Sequence, residues 1–131
     1  VTGHLADTSI FVAQEQGRRL TSPPPGDTRV SVATITELGV GVRRATDPGV
    51  RRGRERTLGR ARSFIPLPYD ERVGDELASL LAAARGTGRR PGLFDAVIAA
   101  TALTHDLAVW TQDDDFDVLA ELEPRLVVHR G

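Results

Sequence analysis

The stretch from Phe94 to Phe116, FDAVIAATALTHDLAVWTQDDDF, constrains the fold more than any other part of the chain. Ala96, Ala99, Ala100, Ala102 and Leu103 are good helix formers with small side chains, and they predict a helix that packs closely on a sheet. His105-Asp106 reads as a turn, and Leu107 to Trp110 is an apolar run of strand length. The strand then leaves into Thr111-Gln112-Asp113-Asp114-Asp115-Phe116, with three carboxylates in succession. Carboxylates that close repel one another unless water, cations or arginines compensate. The loop asks for a metal.

The rest of the chain alternates in the same way. Leu5-Ala6, running into Asp7-Thr8-Ser9, predicts a short buried strand ending at an acid, and Ile10 to Ala13 opens a helix that fades near Gly17. A proline-rich loop, Ser22 to Asp27, precedes a second strand from Arg29 to Val32. Ile35, Leu38 and Val42 have helical spacing, so a helix is expected from near Thr34 towards Ala45, where Pro48-Gly49 breaks it. Val50 to Arg62 reads as a basic helix: Arg43 to Arg62 holds eight arginines against Asp47 and Glu55. Phe64 to Pro68 suits an edge strand, because its prolines cannot donate to a ladder. Asp70 is placed to cap a helix whose Val73, Leu77, Leu80, Leu81 and Ala84 form one stripe. A basic loop from Gly86 to Gly92 leads into the Phe94 unit, and a short helix through Val118-Leu119 and a last strand, Leu126 to Val128, follow. Short apolar strands between helices predict an α/β sandwich around a mainly parallel sheet, with ligands gathering beyond the strands' carboxyl ends.

At 131 residues the chain is expected to be one domain over residues 1–131, and 40% hydrophobic with 27% charged residues is ordinary for a soluble protein. No apolar run approaches a membrane span and the first residues lack a signal-peptide pattern, so a cytoplasmic protein without a membrane partner is expected. The lack of cysteine removes disulfides and thiolate chemistry. All 17 basic residues are arginine, which fits a G+C-rich coding sequence and excludes any mechanism that needs a lysine.

Four acids fall where ligands gather: Asp7 after the first strand, Glu37 and Asp95 in the first turns of two helices, and Asp113 after the strand ending at Trp110. Each has an ordinary alternative. Asp7 could cap the first helix, Thr34 to Glu37 has capping-box spacing, Asp95 could complement a helix dipole, and Asp113 could be an N-cap. Together at one rim they could hold Mg²⁺ or Mn²⁺, hard cations that prefer oxygen ligands, for phosphodiester hydrolysis by an activated water.

Asp7-Thr8-Ser9, the Thr-x-x-Glu of Thr34 to Glu37, Asp95-Ala96-Val97-Ile98-Ala99-Ala100 and Thr111 to Phe116 resemble the PIN-domain nucleases, and the size and order of these elements resemble the VapC-type toxins of bacterial toxin–antitoxin pairs. The resemblance covers essentially the whole chain. It implies a sheet of about five parallel strands, homodimers, RNA substrates, and inhibition by a small VapB-like antitoxin whose tail enters an acidic groove. By position it implies that Asp7, Glu37, Asp95 and Asp113 are the metal-binding quartet, with Asp115 an auxiliary acid and Ser9 and Thr111 supporting hydroxyls. Trp110 departs from the aliphatic residue common before the Thr, and Asp114 and Asp117 make the loop unusually acidic, which leaves open whether Asp114 or Asp115 is the auxiliary ligand.

Arg89 and Arg90 could face a phosphate backbone or be solvated. The Arg43–Arg62 stretch reads as a solvated face, an RNA track or part of an antitoxin groove. His4, His105 and His129 lack zinc spacing and suit surface or turn roles. A receiver domain is excluded by the missing lysine, a haloacid-dehalogenase-like phosphatase by Asp7-Thr8-Ser9, and an EF-hand by Val118 and Pro124 at its glycine and glutamate positions. Two rivals remain: a PIN-like module that binds RNA or a partner without cutting, and a PIN-like nuclease acting on DNA. The stripe of the Asp70–Arg85 helix is either a dimer contact or part of the monomer core.

Overall fold

The computed structural model describes residues 1–131. Its sheet has four parallel strands in the order β2-β1-β3-β4: β1 (Gly3–Ala6), β2 (Asp27–Arg29), β3 (Leu107–Thr111) and β4 (Val128–Arg130). Six helices connect them: α1 (Thr8–Glu15), α2 (Val32–Arg44), α3 (Pro48–Arg62), α4 (Glu71–Gly86), α5 (Leu93–Thr104) and α6 (Asp115–Leu122). The α/β class and the mainly parallel sheet are as expected, with one strand fewer. Where a fifth strand was expected at Phe64–Pro68, only Leu67 pairs, in a single parallel bridge to Ser31. Pro66 and Pro68 flank Leu67 and offer no N–H to extend the ladder.

Residue alternation on the strands divides the core in two. Leu5, Leu107 and Val109 face the layer of α4, α5 and α6, where Ala96, Ala99, Ala100 and Ala102 are fully buried and let α5 lie close to the sheet. Ala6 and Trp110 face the opposite layer with Ile10, Phe11, Val30, Leu38 and Leu58. Val73, Leu77, Leu80 and Ala84 are buried within the first layer, with Leu81 packed at its edge, so the α4 stripe belongs to the core of this chain and is not a free dimer face. No helix is long and apolar enough to cross a membrane.

Several boundaries move. The second strand starts at Asp27 and the last at Val128, each displaced by two residues from the apolar run that suggested it. In both, backbone pairing with a buried neighbour sets the register, while the apolar residues serve the adjoining loop. The second helix begins at Val32, capped by the Ser31 hydroxyl that accepts from the Ala33 amide at 3.0 Å. Thr34 is therefore inside α2, and the capping box with Glu37 does not form. His4, expected at a surface or turn, is buried in β1, within 2.7 Å of Thr28 Oγ1 and edge-on to Trp110. The His105-Asp106 turn is as expected, with Asp106 at φ 54, a left-handed conformation aspartate tolerates.

Candidate active site

After β1 the chain crosses to one side of the sheet to make β2, and after β3 it crosses to the other to make β4. The crevice between the carboxyl ends of β1 and β3 is thus the topological switch point, where open α/β sheets collect ligands. Asp7 ends one of these strands and Asp113 follows the other. Glu37 reaches the crevice from α2 and Asp95 from α5: Asp7, Glu37, Asp95 and Asp113 line one cleft of about 240 Å³, together with Thr8, Ser9 and Arg18.

Asp7 is buried and held through one oxygen. Its Oδ2 accepts from the Ser9 hydroxyl at 2.8 Å, the Thr111 hydroxyl at 2.9 Å and the Ser9 amide at 3.3 Å. Each hydroxyl has one hydrogen, so both are committed to Asp7, and their oxygens then accept from the Gln112 and Asp113 amides at 2.9 Å. Ser9 and Thr111 thereby stitch the start of the acidic loop to the first acid. Asp7 caps α1 as the ordinary reading had it, and still keeps Oδ1 without a protein donor.

Glu37 is held by a residue sequence reasoning passed over. The Thr8 hydroxyl donates to Glu37 Oε1 at 2.7 Å and lies 3.0 Å from the buried Thr34 hydroxyl. The signal was in plain view in Asp7-Thr8-Ser9, but nothing local reveals which side chain a hydroxyl will meet 29 positions away. Arg18, exposed in the loop after α1, was likewise missed; its charge lowers the Asp113 pKa, opposing the burial and the neighbouring acids that raise it.

Burial and mutual repulsion act on these carboxylates together. Asp95 is pushed up to about 7, first by burial and then by Asp7, Glu37, Asp115 and Asp113. Glu37 is raised by burial, against the Thr8 hydrogen bond, and by Asp7 and Asp113. Asp113 is raised by burial, Asp7 and Asp115. Asp115, in the first turn of α6, thus belongs to the same field, whereas Asp114 turns away and pairs with Arg130 at 2.5 Å. Arg130 also pairs with Asp117 at 2.6 Å, so one arginine of β4 compensates both extra acids of the loop.

The donor set is all oxygen, and Asp95 and Asp113 spend none of their carboxylate oxygens on hydrogen bonds. No three of the side chains as placed would by themselves enclose a metal ion. An ion held here would therefore have to keep part of its water shell. Arg89 and Arg90 lie beside the acids, bordering an adjoining cleft with Asp95 and Asp115, and Arg89 pairs with Glu121 at 3.0 Å.

Residues 5–122 match the PIN domain family. The chain is 38% identical over 120 residues to Ribonuclease VapC4 of Mycobacterium tuberculosis (strain ATCC 25618 / H37Rv), covering 91% of this chain and 92% of that one. It is 39% identical over 116 residues to Ribonuclease VapC5 of the same strain, covering 88% and 86%. Among solved structures, VapBC-5 from Mycobacterium tuberculosis, a member of the VapBC family of toxin-antitoxin systems, superimposes with a TM-score of 0.83 at 34% identity, covering 99% of this chain and 98% of that one. VapBC2 from Rickettsia felis superimposes at 0.79 with 15% identity over 98% of both chains, a likeness of fold.

Proposed function

The chain belongs to the PIN-domain family, in its VapC branch, and from that premise we propose that it is a Mg²⁺- or Mn²⁺-dependent endoribonuclease, the toxin of a toxin–antitoxin pair. One observation carries the reading: Asp7, Glu37, Asp95 and Asp113 meet at the β1/β3 switch point with carboxylate oxygens free of protein donors. These four residues would hold the ion, with Asp115 as the auxiliary acid. Bound there, the ion supplies an activated water and neutralises charge on the phosphate.

The chain's own residues provide the orientation. Ser9 and Thr111 hold Asp7 by one oxygen and leave the other without a protein donor, and Thr8 does the same for Glu37. Such outer partners fix ligand geometry and commonly change metal affinity or activity by about 10–100-fold when removed. No cysteine or lysine is present to form a covalent intermediate, so the residues fit direct hydrolysis. The names of the VapC relatives support RNA as substrate, and the VapBC neighbours support a VapB-like antitoxin as partner. We propose a homodimer and a cytoplasmic location on the same family footing. Metal-dependent cleavage of RNA that is lost in Asp95→Asn tests the assignment, and a cutting rate that ignores that substitution would overturn it.

A further inference from the structure

We propose that Arg85, Arg89 and Arg90 form a backbone-phosphate subsite that seats the RNA strand beside the acid cleft; the proposal rests on the nuclease reading for its substrate. Three clefts run together on this face. The first, of about 410 Å³, is bordered by Arg85, Arg89 and Arg90. The second, of about 460 Å³, shares Arg89, Arg90 and Pro91 with the first and Asp95 with the acid cleft. Shared walls thus link the three clefts in a row, basic at one end and acidic at the other.

The basic end is built rather than loose. Gly88, at φ 73, ends α4 in a left-handed conformation, and the Arg89 amide returns to the Ala84 carbonyl at 2.9 Å. This Schellman-type closure sets Arg89 and Arg90 next to Arg85 of the last helical turn. Arg85 and Arg90 take part in none of the ion pairs of the chain, and Arg89 has only the exposed Glu121. Two unpaired guanidiniums and a third in an exposed pair therefore share one concavity, a geometry suited to phosphate oxygens.

Electrostatics supplies the need for them. An RNA strand approaching Asp7, Glu37, Asp95, Asp113 and Asp115 is repelled by their charge, and a divalent ion there would offset only part of it. Cationic groups beside the acids anchor the neighbouring phosphates. The arginines of α3 are less suited: Arg54 is spent on the Gly41 carbonyl, Arg51 pairs with Glu55, Arg60 borders a separate apolar cleft with Phe11, Phe64 and Trp110, and Arg52, Arg56 and Arg62 border none of these three clefts.

The test compares the antitoxin-free protein, the double variant Arg85→Ala/Arg90→Ala, and the control Arg56→Ala/Arg62→Ala, all checked for unchanged thermal unfolding. Binding of a short labelled single-stranded RNA is followed by anisotropy in EDTA across a salt titration, and cleavage is followed separately with Mg²⁺. Loss of two phosphate contacts lowers the slope of log K against log salt by about 1.4, at about 0.7 per phosphate, and raises KM for cleavage with kcat held; the control changes neither. A slope and KM equal to wild type, with wild-type cleavage intact, would overturn the subsite and leave the nuclease standing. A lowered slope in a protein that never cuts would keep the subsite and overturn the nuclease.

Discussion

The Thr8 hydroxyl donates to Glu37 Oε1 at 2.7 Å, joining the first turn of α1 to α2 across the candidate active site. This bond decides which way the Glu37 carboxylate points. Thr8→Val keeps the shape and removes the donor, so Mn²⁺ affinity and cleavage rate are expected to fall about tenfold or more. Thr8→Ser, which keeps the hydroxyl, restores both. Equal losses in the two variants would show that packing, and not the hydrogen bond, matters at this position.

Thr111 serves Asp7 and the Asp113 amide with one hydroxyl. Thr111→Val leaves the buried Asp7 carboxylate short of a donor, a loss of about 1.5–3 kcal/mol for a hydrogen bond to a charged group. Urea unfolding measures it in EDTA, where no metal masks the effect. Stability unchanged within error would remove Thr111 from the account.

Asp95 predicts a pH signature. Its carboxyl titrates at about 7 in the folded chain against 3.8 unfolded. Between those values the folded state binds more protons, so Asp95 makes the metal-free protein less stable as pH rises from about 4 to about 7, with no further change above. Asparagine cannot ionise. The stability advantage of Asp95→Asn over wild type therefore grows across that window and is greatest at its upper end. His4, whose pKa burial lowers, is lost as a stabiliser as pH falls, but it titrates in both proteins and cancels in their difference. An advantage that is constant from pH 4 to 8 would contradict the repulsion described here.

Leu80 tests where the α4 stripe packs. It is 2% exposed within the core of this chain, so Leu80→Ala is expected to cost about 2–5 kcal/mol in unfolding free energy. A small loss accompanied by a changed oligomeric state would place the stripe at an interface instead.

Much of this was legible in the sequence because the signals were local. Alanine spacing marked α5, Asp70 marked the cap of α4, and the positions of Asp7 and Asp113 after strands and of Asp95 in a first turn put three acids at one rim; Glu37, expected in a first turn, lies in the second turn of α2 because that helix starts at Val32. What could not be read depends on partners far along the chain. Ser31, not Thr34, caps α2 because Ser31 also lies at the bridge to Leu67, 36 positions on. Nor is it legible that Asp114 pairs with Arg130, on a strand at the far end of the chain, the contact that supports Asp115 over Asp114 as the proposed auxiliary acid. Thr8 carries no local sign that its hydroxyl will hold Glu37.

The most direct measurement is incubation of the purified, antitoxin-free protein with total cellular RNA, with and without Mg²⁺ or Mn²⁺, beside its Asp95→Asn form. Discrete fragments that require both the ion and Asp95 are the predicted result. Intact RNA after incubation with folded, ion-supplied wild-type protein, or cutting that survives EDTA or the substitution, would contradict the assignment.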